Sequence, residues 1–379
     1  MSPRPADRAR GKRAAERPPS RLTRVRPAAP RRSPRPTEAA PAAATETAPG
    51  VTQPAEAYTP PAWLLTAWWV VIGAGTVALL LSAFDVGPAW MSSAASVGVV
   101  TAFSWLLATR AAGRAFVSAL VALGLATTAV VVGGEVLLSG ASLMTCVVGG
   151  VYAVMATVPA VTFGRAVRET LIASGISVIT ALAAVGFEPS VSVERYDIAS
   201  VLLALVLAVA IVFRLGAGLH GLGRRGLIAV AFALGVMVAT VAYAELLQRY
   251  GSQDMITTVL DFVDATRDRI IAFPRPLVVL LGIPALVWGT HLRARRRQGW
   301  WVCTFGVAAT VPMAAGLVAA DSSYLEAALR AAYSLLLGLG LGYLVIRADL
   351  ALTGSRGAGA RRAEEAEALR PEPSRFAEL

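Results

Sequence analysis

The sequence predicts an all-α fold: a polytopic integral membrane helical bundle of about ten transmembrane helices, plus one amphipathic helix on its outer face. Three observations predict it. Of 379 residues, 56% are hydrophobic and 16% charged, with a mean hydropathy of +0.61, beyond what a water-soluble domain can bury. Apolar runs near the ~20 residues needed to cross a bilayer recur with short breaks from Ala62 onward. The breaks also alternate in charge, every second one being rich in Arg.

Residues 1–57 come first and carry twelve basic side chains against five acidic ones, with many Pro and Ala and almost no large aliphatics. Such a segment cannot build a core, so the sequence predicts a disordered basic cytoplasmic arm. The runs that follow are Trp63–Phe84, Ala89–Thr109, Ala115–Leu138, Ala141–Phe163, Val167–Phe187, Tyr196–Phe213, Leu227–Leu247, Leu277–Leu292, Trp300–Ala320 and Leu325–Ile346. Together they make residues 58–347 a transmembrane bundle. Residues 348–379 are charge-balanced and read as a solvated cytoplasmic tail.

With the N-terminus inside, the inner breaks hold Arg110, Arg114, Arg165, Arg168, Arg214, Arg224, Arg225, Arg293, Arg295, Arg296 and Arg297, and Glu169 is the acid that opposes them. The outer breaks hold Asp85, Glu188, Glu194, Asp197, Asp321 and Glu326. A missed span would swap the sign of every later break, so this regularity predicts an even count, both termini cytoplasmic, in a plasma membrane. Trp63, Trp68, Trp69 and Trp90 flank the first pair, and Trp300 and Trp301 follow the RARRR break, where headgroup anchors belong.

The longest structured break runs from Gln248 to Pro276. Ser252 provides a helix start and Pro274 a stop, which predicts an extracytoplasmic helix over 253–272. Ile256, Val259, Leu260, Val263, Ile270 and Ile271 share one face of it, and Asp254, Asp261, Asp264 and Asp268 the other. Arg267 projects from the apolar face, one turn from Asp264. Lipid-surface helices carry basic residues on their polar face. An acidic stripe therefore points to a helix resting on the bundle, with Asp254, Asp261, Asp264, Arg267 and Asp268 as candidate binding residues for a cationic partner.

Ionisable groups inside hydrocarbon are costly and usually paired or working, which singles out Glu135, Glu245 and Arg330 as intramembrane candidates. Each lies within a turn or two of the outer end of its span, and none near a midpoint, which speaks against a proton-coupled pump. Gly338, Gly340 and Gly342 line the last span as a close-packing stripe, or as a contact with a membrane partner or a second copy. Gly149, Gly150 and Pro159 in the fourth run and Gly306 and Pro312 in the ninth lie five spans apart, as broken helices of an inverted repeat would.

Other signals carry no chemistry. Gly216 to Gly221 matches GxGxxG but follows a membrane span rather than a strand. Cys146 and Cys303 lie in apolar runs without ligand spacing, and His220 and His291 have no second ligand nearby, so no metal or cofactor is expected. The excess of +11 is spread over breaks and the arm rather than one folded face, so no nucleic acid is expected either.

The sparse supply of buried polar groups predicts a non-enzymatic protein that assists or scaffolds cell-envelope machinery, with a secondary transporter or permease as the alternative. A second alternative rests on Asp85 in Phe-Asp-Val-Gly-Pro. That residue occupies the first outer break, and so resembles the acidic residue found there in polytopic glycosyltransferases that use lipid-linked donors. The resemblance covers one residue and implies an enzyme acting on lipid-linked substrates.

Overall fold

Apolar helices solve one problem first: in hydrocarbon every backbone N–H and C=O must find its partner within the chain. A computed structural model describes residues 60–190, 193–215, 223–250, 257, 258, 261, 265, 269, 271–295, 299–318, 323–353 and 375–376. Among these there are helices and connections but no strand. The helices are α1 (Ala62–Ala83), α2 (Trp90–Arg110), α3 (Ala115–Val132), α4 (Glu135–Met155), α5 (Phe163–Val185), α6 (Val193–Arg214) and α7 (Gly223–Tyr250). A π-helical turn, Val278–Gly282, leads into α8 (Ile283–Arg295), followed by α9 (Gly299–Thr304), α10 (Val307–Ala314) and α11 (Tyr324–Thr353). Eight of the described segments are long and apolar enough to cross a membrane, and shorter apolar helices at Val230–Thr240 and Val278–Ala294 fall where the seventh and eighth spans are expected. The protein is an all-helical membrane bundle.

Burial sorts the helices into an inner and an outer set. The apolar windows of the α9–α10 segment and α2 are 78% and 67% buried, against 11% for α1 and 17% for α3 and α11. Leu120, Leu125 and Val131 on α3 and Leu336 and Leu344 on α11 are exposed, a distribution stable only with lipid or another protein outside. Hydroxyls inside the helices bond their own backbone: Thr170 donates to Ala166 O, Ser177 to Ala173 O and Thr290 to Leu286 O, each within 2.9 Å.

Small residues let α8 sit between two neighbours. A side chain at Gly282 would collide with the Ala309 backbone of α10, and a Cβ at Gly289 would lie 2.6 Å from Cys303 Sγ on α9. On its other face α8 presents Ile283 and Val287 to α11. There a Cβ on Gly338 would lie 2.5 Å from Ile283 and one on Gly342 2.9 Å from Val287. Gly338 and Gly342 are therefore used inside the chain, whereas Gly340 faces open space. Pro284 lacks the N–H an α-helix needs at that point. The N–H of Ile283 instead reaches the Val278 carbonyl five residues back, and the π-turn absorbs the mismatch.

Several sequence expectations move. The third break falls at Gly133–Gly134, not near residue 139, because both glycines adopt positive φ (69° and 92°) and end α3 there. Glu135 then becomes the exposed first residue of α4, where an acid suits the helix N-terminus. The fourth helix runs unbroken through Gly149 and Gly150, and Pro159 lies beyond its end. The ninth segment is interrupted at Phe305–Gly306. The matched positions touch: a Cβ on Gly150 would lie 2.5 Å from Val311, and Thr310 Oγ1 donates to Gly150 O at 2.9 Å. Trp300 and Trp301 are half-buried and buried, so they pack within the bundle instead of anchoring at headgroups.

Of the acidic helix expected over 253–272, Thr257, Thr258, Asp261, Ala265 and Arg269 are helical and exposed. Their spacing is that of one helix face, as expected for Asp261. Asp254, Asp264, Arg267 and Asp268 lie outside the described residues. Ile271 does not join the apolar face: its φ of 68° takes it off the helix and it is exposed.

Candidate functional site

The site begins with a backbone problem at the end of α4. The last carbonyls of a helix have no intrahelical donor, and residues 156–162 run on without regular hydrogen bonding because Pro159 contributes no N–H. Side chains from distant helices close the account. Arg110, the last residue of α2, donates Nε to Met155 O at 3.1 Å. Arg293 near the end of α8 donates Nη1 to Thr157 Oγ1 at 2.8 Å and Nη2 to Thr157 O at 3.0 Å. Arg375 donates Nη1 to Ala156 O at 3.0 Å. His291 Nδ1 lies 3.1 Å from Ala160 O, and since a carbonyl only accepts, that nitrogen carries the proton. Ala160 N donates in turn to Thr290 O at 3.0 Å.

Electrostatics favour this arrangement twice over. The C-terminus of α4 carries the negative end of its helix dipole, which guanidinium groups complement. Glu169, fully buried in α5, supplies a full negative charge: Oε2 accepts from Val158 N at 3.0 Å and from Arg375 Nη1 at 2.7 Å, and Oε1 from Arg375 Nη2 at 3.0 Å. Arg168 adds a bond to Oε1 at 3.1 Å from the exposed side. Arg293 stacks on Trp300, its guanidinium carbon 3.4 Å from the ring centroid.

A second polar cluster joins helix ends at the other end of the bundle. Asp197, near the start of α6, pairs with Arg275 at 3.2 Å. Arg275 also donates to Pro312 O at 2.8 Å, and its backbone N–H to Ser334 Oγ at 3.0 Å. Burial lowers the Arg275 pKa, the Asp197 charge opposes that, and Arg330 adds to it. Arg330 is half-buried and paired with Glu326 one turn before it, so it is tied within α11. Ser142 donates to Ala184 O at 2.8 Å and meets Tyr196 Oη at 2.8 Å, linking α4 to α5 and α6.

A third feature is apolar. A cavity of about 370 Å³ opens between α7, the π-turn and α8, and is lined by Phe232, Leu281, Pro284, Trp288, Phe305 and Val345 among others.

The residues singled out by sequence are mostly not these. Glu135 is exposed at a helix start, the side chain of Glu245 lies outside the described set, and Asp85 sits exposed in a turn with φ 57°. No group of three or more His, Cys, Asp or Glu with metal-site geometry occurs among the described residues. Cys146 and Cys303 are buried and free. His291 is buried. Arg110 and Arg293, expected as loop charges that set orientation, are buried at helix ends, and no local pattern in the sequence joins Glu169 to Arg375, 206 positions away. One signal pointed there: Glu169 is the single acid among the Arg-rich breaks.

Fold and clusters define a polytopic helical membrane protein whose chain breaks are fastened by buried guanidinium groups. No protein-family model, curated protein or solved structure matches the chain.

Proposed function

We propose that this chain is a non-enzymatic multi-pass protein of the plasma membrane, with both termini cytoplasmic, which scaffolds or assists cell-envelope machinery. One observation carries the reading: the buried ionised side chains at both ends bond the chain's own carbonyls and carboxylates. Groups spent in this way hold a shape, and are not positioned to pass or convert a substrate. The exposed apolar faces of α1, α3 and α11 then serve bilayer and membrane-protein contacts, and the acidic face that includes Asp261 serves a cationic partner outside.

The same contacts support a sidedness. Arg293 at the end of α8 bonds the end of α4, and Arg214 at the end of α6 reaches Ala112 O, just beyond α2, at 3.5 Å. The ends of α2, α4, α6 and α8 thus gather together with Arg110, Arg214 and Arg293, which favours that end as the cytoplasmic one. Epitope tags at either terminus should stay beyond the reach of an impermeant reagent in intact cells, and labelling of either would overturn the orientation.

A transporter would need a polar route reached by Glu135, Glu245 or Arg330. Arg330 is engaged by Glu326 and Glu135 lies at an exposed helix start, which disfavours that alternative. The apolar cavity beside the π-turn supports a different second reading, the holding of a lipid hydrocarbon chain, because its volume and lining suit one. Mass spectrometry of the gently solubilised native protein separates the two. A retained protein that is lost when Asp261, Asp264 and Asp268 are together changed to Asn supports scaffolding. A stoichiometric lipid lost in Leu281→Trp supports the second reading, and retention of neither removes both.

A further inference from the structure

We propose that the end of the bundle around Glu169 is a docking site for an arginine–phenylalanine peptide segment, and that the chain's own Arg375–Phe376 is its occupant. The receptor half is built from the bundle alone. Glu169 is fully buried and held by Val158 N–H and Arg168, and Ala156 O points into the same space because the α4 helix has just ended. The ligand half is two residues. Arg375 meets both carboxylate oxygens, at 2.7 and 3.0 Å, and the carbonyl at 3.0 Å, so it fills the fork that a guanidinium, and not an ammonium, can satisfy. Phe376 lays its edge against Trp69 of α1, with ring centroids 5.9 Å apart at 77°.

The asymmetry between the halves makes this a site and not merely a brace. Glu169 keeps two of its partners when Arg375 leaves, and Trp69, already 40% exposed, loses one neighbour. The Arg375 side chain is 22% exposed, so water can reach the pair from outside. Because the occupant belongs to the same chain, it competes with any added segment at an effective concentration of order millimolar. An external arginine–aromatic segment can therefore enter only when the tail is displaced, whichever partner the protein serves.

The test uses the full chain in lipid nanodiscs and a fluorescent peptide of residues 371–379, PEPSRFAEL. The Arg375→Gln/Phe376→Ala double variant should bind the peptide at least about tenfold more tightly than wild type does, since the tethered competitor is gone. A peptide carrying Gln for Arg375 should lose that binding. Equal binding to both chains, or binding to neither, overturns the proposal. Should the double variant fold poorly, a second measurement decides. In a Trp69→Cys/Phe376→Cys chain a short bismaleimide should join the two positions, the native cysteines being buried, and Arg375→Gln should abolish the link. No cross-link in the parent chain overturns it equally.

Discussion

Glu169→Gln is expected to lower the stability of the solubilised protein by about 3–5 kcal/mol, the usual cost of leaving buried charge without its partner. The substitution keeps size and shape and removes only the charge. Val158 N–H can still bond the amide oxygen, but the guanidinium of Arg375 loses its counter-charge. Arg110 and Arg293 stay buried in the same cluster, and the Glu169 charge offsets that of Arg293. A fall in the unfolding midpoint of order 5–10 °C, followed by tryptophan fluorescence in detergent, is the expected reading. A change within about 2 °C would mean that the cluster is wet enough to do without the charge.

Arg293→Met should have an effect of similar size for a different reason. Methionine fills comparable space but leaves Thr157 O without its donor, at about 1–3 kcal/mol, while Thr157 Oγ1 keeps only the bond it donates to Val154 O. It also removes the stacking on Trp300, worth roughly 0.5–2 kcal/mol. Lysine at 293 keeps the charge but offers a point donor instead of a fork, so Arg293→Lys should fall between wild type and Arg293→Met. If lysine proved as damaging as methionine, charge and donor would count for little and only guanidinium shape would matter. Since Glu169 and Arg293 share one cluster, the double variant should lose less than the sum of the two single losses.

Much of the bundle was legible because lipid imposes strict lengths. A span needs about 20 apolar residues, and that requirement places the helices through α6 and the last two spans, apart from the third break, the end of α4 at Met155 instead of Phe163, and the end of α11 at Thr353 instead of Ile346. The third break was misplaced because Gly133 and Gly134 carry no charge, and hydropathy runs straight through them; what stops the helix is their positive φ. The interruption near Gly306 was anticipated, whereas the π-turn before Pro284 was not, since proline reads as a kink without saying how the backbone absorbs it.

The polar clusters were far less visible. An arginine at a helix end can snorkel into headgroups or turn inward, and nothing local in Ala-Thr-Arg or Leu-Arg-Ala separates the two outcomes. Arg110 and Arg114 lie four residues apart in one break, yet the first is buried and the second exposed.

The chain's own letters decide that it is a helical membrane bundle, because burial in hydrocarbon is a property of each run taken separately. Tertiary structure alone decides which charges turn inward, because that depends on where another helix leaves its last carbonyls. Thr157 meets Arg293 across 136 positions of sequence, and Glu169 meets Arg375 across 206. No periodicity within a single helix encodes either meeting.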